Sequence, residues 1–407
     1  MFAAVLRNRN FSIYLVGSTF SLHGLWIQRV AIGWLAWELT ESETWLGIIA
    51  LSEFLPIMLF GPLFGVLADR LHRKTIAFAA NVLNGMLASL LFVLVLLQII
   101  DIYLLFAITM CLGIISSAFQ PVRMSLIPSL VPDELLAPAV AAQSIVFNVS
   151  RFLGPAIAGV AIATAGLASA FAINAVTYLA MLLALLLVKL RRARSGGEKS
   201  HFFAELKDGI DYTVRHADIR QQFVIVALSA LFGRAVIVML PAFAGSVFGG
   251  GSSTLATLTS VSGAGAVVAG FYLTVIGSGN RLLWSTVFGT VATGILMTLL
   301  GATSSYVLGI VLVAVLGFAL TLVGVGSQAR IQTIVAETMR GRVLSLWAAV
   351  AFSAPALGSV IIGSIADRYG LGITVVISGA VCTVLSLVLA WSVSRLTPAP
   401  GQAQARL

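Results

Sequence analysis

Charge is what this chain has least of. Only 10% of its 407 residues are Asp, Glu, Lys or Arg, against a hydrophobic share of 59%. A soluble domain carries roughly 25% charged residues, so a soluble core is not expected. Acids are scarcer than bases, 15 against 24, and beyond Asp218 only Glu337 and Asp367 remain. That leaves no paired acidic site. Cys111 and Cys382 are the 2 cysteines; both lie in apolar runs without metal-ligand spacing, which removes disulfide and zinc chemistry. The histidines, His23, His72, His201 and His216, do not cluster, and no glycine-rich loop with a lysine is present to cradle a phosphate. An enzyme, a metal, a cofactor and a direct nucleotide drive are therefore not expected. The net charge of +9 sits at the ends of apolar segments and makes no basic stripe with interleaved aromatics, so nucleic acid is not an expected partner.

Long apolar runs are what the chain does have. A helix needs about 20 such residues to cross a bilayer, and segments of that kind recur at 11–38, 44–67, 75–98, 101–122, 137–165, 167–190, 220–248, 252–278, 281–302, 304–328, 341–365 and 371–394. This predicts an all-α polytopic membrane protein with twelve transmembrane helices. Arg7 and Arg9 precede the first run, but no small-residue cleavage site follows, so that run reads as a retained helix. The stretch 191–219 divides the helices six and six; it contains RRARSGGEK and then the amphipathic FFAELKDGIDYTVRH. The expected organisation is a six-helix bundle over 1–190, a cytoplasmic linker with a surface helix over 191–219, and a second six-helix bundle with a short tail over 220–407.

Cytoplasmic loops retain positive charge. With both termini inside, Arg29, Arg151 and Arg234 fall within helices, Arg368 falls in an outer loop, and the rest of the 24 cations lie at the cytoplasmic side. The halves also echo one another. RFLGPAIAG at 151–159 matches FSAPALG at 352–358, and Arg29 with its following residues matches Arg234 with its own. Two bundles related by a pseudo-twofold axis along the membrane normal are expected, with a site between them.

Three constellations carry chemistry. The turn GPLFGVLADRLHRK at 61–74 gathers Gly61, Gly65, Asp69, Arg70, Arg73 and Lys74 between two apolar segments. Glycines at 61 and 65 permit close helix approach. Asp69 can accept from helix N-terminal amides, while the cations attract headgroups or carboxylates; simple positive-inside anchoring explains the same charges. In the fifth segment Ser144, Asn148, Arg151 and Pro155 recur at steps of four and three, giving one polar face in mid-membrane. Gly154, Pro155 and Gly159 on it also read as a proline kink with small packing residues. The third constellation is Arg29 with Glu53, each twelve residues from Glu41 at the centre of the first hairpin. Equal spacing on antiparallel helices puts them at one depth, either as a permanent salt bridge or as a proton-coupling pair that Arg151 competes for. His23, Trp26 and Gln28 are further candidates to line a cavity, as is Arg234, although a lone histidine also reads as a satisfied packing residue.

Nearly the whole chain resembles one branch of the major facilitator superfamily, the group that includes the enterobactin exporter and macrolide-efflux proteins. The resemblance is carried by WIQRVAIGWLAWELT at 26–40, the basic turn at 61–74, NVSRFLGPAIAG at 148–159 and ETMRGRVLSLWAAVAFSAPALGSVIIGSIADRYG at 337–370. The turn resembles that superfamily's latch motif, with His72 in place of a glycine. Gly154, Pro155 and Gly159 resemble its exporter element, with Ala158 in place of another. The resemblance implies alternating access by rocking of the two bundles, usually in the inner membrane, usually outward and driven by the proton gradient; a monomer is expected, with the lipid bilayer, protons and a small molecule as its partners. The fourth segment lacks the arginine that many drug–proton antiporters carry there, and Arg123 lies at its end. A lipid or lysophospholipid carrier of the same fold is the alternative; a non-transporting sensor would need a soluble domain.

Overall fold

A computed structural model describes residues 2–70, 72–190, 202–277 and 279–396. Among them the secondary structure is helical. A short α1 (Phe2–Arg7) leads into α2 (Arg9–Thr40), followed by α3 (Glu43–Arg70), α4 (Arg73–Leu96), α5 (Ile102–Leu130), α6 (Leu136–Ala165) and α7 (Leu167–Leu187). The amphipathic α8 (Phe202–Arg215) comes next. The seventh long apolar segment is broken into α9 (Ala217–Leu228), a π-helical turn Ser229–Arg234, α10 (Ala235–Val238), α11 (Leu240–Ala242) and a second π turn Phe243–Val247. The chain closes with α12 (Ser252–Ile276), α13 (Asn280–Ala302), α14 (Tyr306–Ile334), α15 (Arg340–Tyr369) and α16 (Leu371–Leu396). Each of the twelve predicted apolar segments is thus matched by one continuous or broken helix. Among the described residues 10 helices are long and apolar enough to cross a membrane.

The ends have local causes. Asn8 and Asp101 accept hydrogen bonds from the amides of Phe11 (3.1 Å) and Leu104 (2.7 Å), capping α2 and α5. Glu41 takes a left-handed conformation (φ 46°) and donates its amide to Trp37 O, which turns α2 into α3. Gly166 (φ 77°) and Gly370 (φ 88°) turn α6 into α7 and α15 into α16, a position only glycine fills without strain. The two glycines follow Pro155 and Pro355 inside their helices, so the sequence echo is also an echo of backbone shape. Pro241 withholds the amide that would reach the carbonyl of Ile237, and the seventh segment breaks there.

The chain divides into two compact units. One is Met1–Lys199 with Leu240–Gly263; the other is Ser200–Met239 with Ala264–Leu407. Lipid tails are as apolar as leucine, so helices in a membrane associate through close packing and buried polar bonds. The first unit shows this where a Cβ on Gly17 would strike Ala184 and one on Gly24 would strike Asn174 and Thr177, seven residues apart along the α2–α7 seam. Segment Leu240–Gly263 belongs with this unit because Pro241 packs at Gly33, Trp37 at Gly245, Ala256 at Gly159 and Phe152 at Gly263. In the second unit Gly294 and Gly301 of α13 meet Gly379 and Gly372 of α16 almost backbone to backbone. The surface helix α8 is fastened to this unit by Arg342–Asp208 (3.3 Å) and by the amide of Ala336 donating to Tyr212 Oη (3.3 Å).

Exposed apolar side chains fall in helical stripes. Leu83, Met86, Leu90 and Val93 line α4, and Ile373, Ile377, Val381, Val384 and Val388 line α16. Steps of three and four keep each stripe on one face, and apolar faces of this extent fit contact with lipid.

Candidate functional site in the membrane-spanning helices

Arg29 of α2 and Glu53 of α3 meet directly. Arg29 donates to Glu53 Oε1 from Nη2 at 2.5 Å and from Nε at 2.9 Å, with the two side chains 27% and 22% exposed. The pair is therefore only partly buried. Leaving either charge alone at mid-helix would cost about 2.5–3.5 kcal/mol on insertion scales, which is why the two converge. Glu53 is held from behind: Ser52 Oγ lies 2.6 Å from Thr109 Oγ1, and the missing side chain of Gly113 lets α5 seat against the carbonyls of Ser52 and Glu53.

Trp26 stands between two cations. The Arg29 guanidinium carbon is 4.9 Å from its ring centroid and that of Arg151 is 5.8 Å away. Attraction to the ring face accommodates both charges beside one tryptophan. Gly154 of α6 faces Trp26, where a Cβ would lie 2.5 Å from Trp26 Cβ. Pro155 is buried in α6, and Gly159 is spent on contact with Ala256. The glycine–proline element thus serves the packing of α6 against α2 and α12.

The other sequence candidates separate. His23 Nδ1 lies 2.8 Å from Thr19 O and 2.9 Å from Ser150 Oγ; a proton on Nδ1 satisfies the carbonyl, so His23 ties α2 to α6. Gln28 is a correction. It is 2% exposed and accepts from Asn174 Nδ2 at 2.6 Å, so it faces α7 rather than a cavity, a step of one residue having turned it away from Arg29. Ser144 and Asn148 are exposed and back-bond to Val140 O (2.9 Å) and Ser144 O (2.8 Å).

Arg234 closes the first π turn of the second unit. A Cβ on Gly324 of α14 would lie 2.7 Å from its Nη2, so the guanidinium occupies the space that glycine leaves.

In the basic turn, Gly61, Gly65, Asp69 and Arg70 form the last turns of α3, and their side chains lie outside the described residues. His72 is the N-cap position of α4 without a side-chain cap bond, and Arg73 opens that helix. Lys74 Nζ donates to Val188 O at 2.8 Å and Leu186 O at 3.2 Å. It neutralises the carbonyl end of α7.

Sequence reasoning passed over Asn174 and Thr321. Asn174 is 0% exposed, inside one of the most apolar helices; a polar residue at that depth was the available signal.

Comparison with known proteins agrees with this architecture. The transmembrane secretion effector profile of the major facilitator superfamily matches residues 2–405. The uncharacterized MFS-type transporter YfiS of Bacillus subtilis (strain 168) is 28% identical over 66% of this chain, and the chain spans 61% of that relative's length. The staphyloferrin A transporter of Staphylococcus aureus (strain NCTC 8325 / PS 47) is 26% identical over 90% of this chain and 92% of its own. Macrolide efflux protein A of Streptococcus pyogenes is 23% identical over 91% and 93%. Among solved structures, an inward-facing, unoccupied bacterial homolog of the human lysosomal transporter Spinster superposes with a TM-score of 0.74 at 15% identity, covering 95% of this chain and 97% of that one. With its helices, its apolar faces and a profile match along nearly its full length, this chain belongs to the transmembrane secretion effector family of the major facilitator superfamily, and is a membrane transporter rather than an enzyme.

Proposed function

We propose that the protein is a proton-coupled exporter of small amphipathic molecules, working by alternating access as a monomer in the cytoplasmic membrane with both termini inside. The observation that carries this is the Arg29–Glu53 pair, an acid placed well inside a membrane-spanning helix, partly exposed, and held by a single oxygen. Protonation of Glu53 removes the charge that holds Arg29. Arg29 is then held by the rings of Trp26 and Phe54 alone, and Arg151 takes the carboxylate when it is ionised again. A group that can exchange its proton and its partner between the two sides is what coupling requires. The relatives named staphyloferrin A transporter and macrolide efflux protein A support movement of small solutes, and the second name supports the outward direction.

The test is dissipation of a pH gradient in energised inside-out vesicles across siderophores, macrolides and cationic dyes. The intact protein collapses the gradient with at least one compound, and Glu53→Gln reduces that response about tenfold or more. Substrate movement at the intact rate in Glu53→Gln would assign the pair a purely structural role.

A further inference from the structure

We propose that Arg234 receives a carboxylate of the transported molecule, in a polar niche of the second unit formed with the hydroxyls of Thr321 and Ser229. The inference rests on the reading of the protein as a small-molecule transporter and assigns one chemical feature to its cargo.

Three observations point the same way. Among the described residues Arg234 makes no hydrogen bond or ion pair, in contrast with Arg29. No acid lies within the spans of the second unit to balance it, because Asp218, Glu337 and Asp367 all sit in or near the ends of their helices. Among the described residues the spans of the second unit thus offer Arg234 no counter-charge, and a bound anion would supply one.

The hydroxyls are the second observation. In this unit Thr286, Thr290, Thr293, Ser327 and Ser359 all return their hydroxyl protons to carbonyls three or four residues earlier. Ser229 Oγ and Thr321 Oγ1 do not, although the residues are only 2% and 5% exposed, and neither atom has a partner. Buried hydroxyls without partners mark a place where a ligand or water is expected.

Ser229 and Arg234 share one π turn, and Thr321 lies one helical turn before the glycine against which Arg234 packs. Ser229 opens the π turn that Arg234 closes. The wider turn rotates residue i+5 back toward the face of residue i, and such turns concentrate at functional sites. Thr321 stands three residues before Gly324, whose missing Cβ leaves the guanidinium room against α14. Two parallel N–H donors with hydroxyls beside them match the two oxygens of a carboxylate better than they match a halide.

The experiment uses the full-length protein in phosphatidylcholine nanodiscs and compares binding of rhodamine B, which carries a free carboxylate, with that of its ethyl ester. The intact protein prefers the acid, and Arg234→Gln lowers the ratio of the two affinities about tenfold. Arg234→Lys keeps the charge but loses the fork, and Thr321→Val keeps the arginine; each lowers the ratio by a smaller factor and carries the test if Arg234→Gln does not fold. Equal affinity of the intact protein for acid and ester, or an unchanged ratio in all three variants, overturns the assignment. So does complete displacement of rhodamine B by added phosphatidylglycerol, which would give the niche to a lipid headgroup. Proton-linked transport that persists without acid preference rejects this inference alone, whereas acid preference without proton-linked transport rejects the exporter reading alone.

Discussion

Asn174 Nδ2 donates a 2.6 Å hydrogen bond to Gln28 Oε1 in a contact that leaves the two residues 0% and 2% exposed, and Gln28 is the immediate neighbour of Arg29. Successive helical side chains differ by about 100° in azimuth. Locking Gln28 onto α7 therefore commits Arg29 to the face of α2 that meets α3. The buried amide pair sets the direction from which the charged pair is built.

Replacing Gln28 by leucine strands the Asn174 amide without changing side-chain length much. Leaving one buried polar group unpaired costs about 1–3 kcal/mol, so Gln28→Leu lowers the thermal unfolding midpoint of the purified protein. The double variant Gln28→Leu with Asn174→Leu removes both polar groups and recovers part of the loss. A double variant less stable than the sum of the singles would contradict this account.

Gly154 gives Trp26 its place between Arg29 and Arg151. A Cβ there would stand 2.5 Å from Trp26 Cβ, so Gly154→Val forces α6 away from α2. Overpacking of this kind costs about 1–3 kcal/mol. The expected outcome is a lower unfolding midpoint together with weaker transport, whereas Ser144→Ala, at an exposed position, changes the unfolding free energy by no more than about 0.5 kcal/mol. Intact stability in Gly154→Val would show that the helices part without strain.

Lys74 caps α7 through the carbonyls of Leu186 and Val188. Lys74→Met keeps the apolar stem and removes the charge; loss of the helix-end interaction costs about 1 kcal/mol, and amide exchange at the end of α7 speeds up relative to the rest of the helix. Lys74→Arg retains most of the protection. If exchange at 186–188 is unaffected in Lys74→Met, the cap contributes nothing.

The sequence by itself determined how many times the chain crosses the membrane, because a run of apolar residues has no stable place in water and a helix satisfies its own backbone in lipid. It also determined that Arg29 and Glu53 lie at one depth, since equal spacing from Glu41 sets depth whatever the details of packing. Depth is a one-dimensional quantity that spacing along a helix reports. Azimuth is not. The hydropathy of α2 gives no sidedness, because lipid-facing and protein-facing residues of a membrane helix are alike apolar. Only tertiary structure could therefore decide that Gln28 turns to Asn174 while Arg29 turns to Glu53, that Lys74 bonds the end of α7, and that Leu240–Gly263 packs with the first unit. The same holds for Arg234. Its depth was legible, but that it stands against Gly324 without a partner depends on a π turn no residue pattern announced, and on contacts between segments about ninety residues apart whose register packing alone fixes.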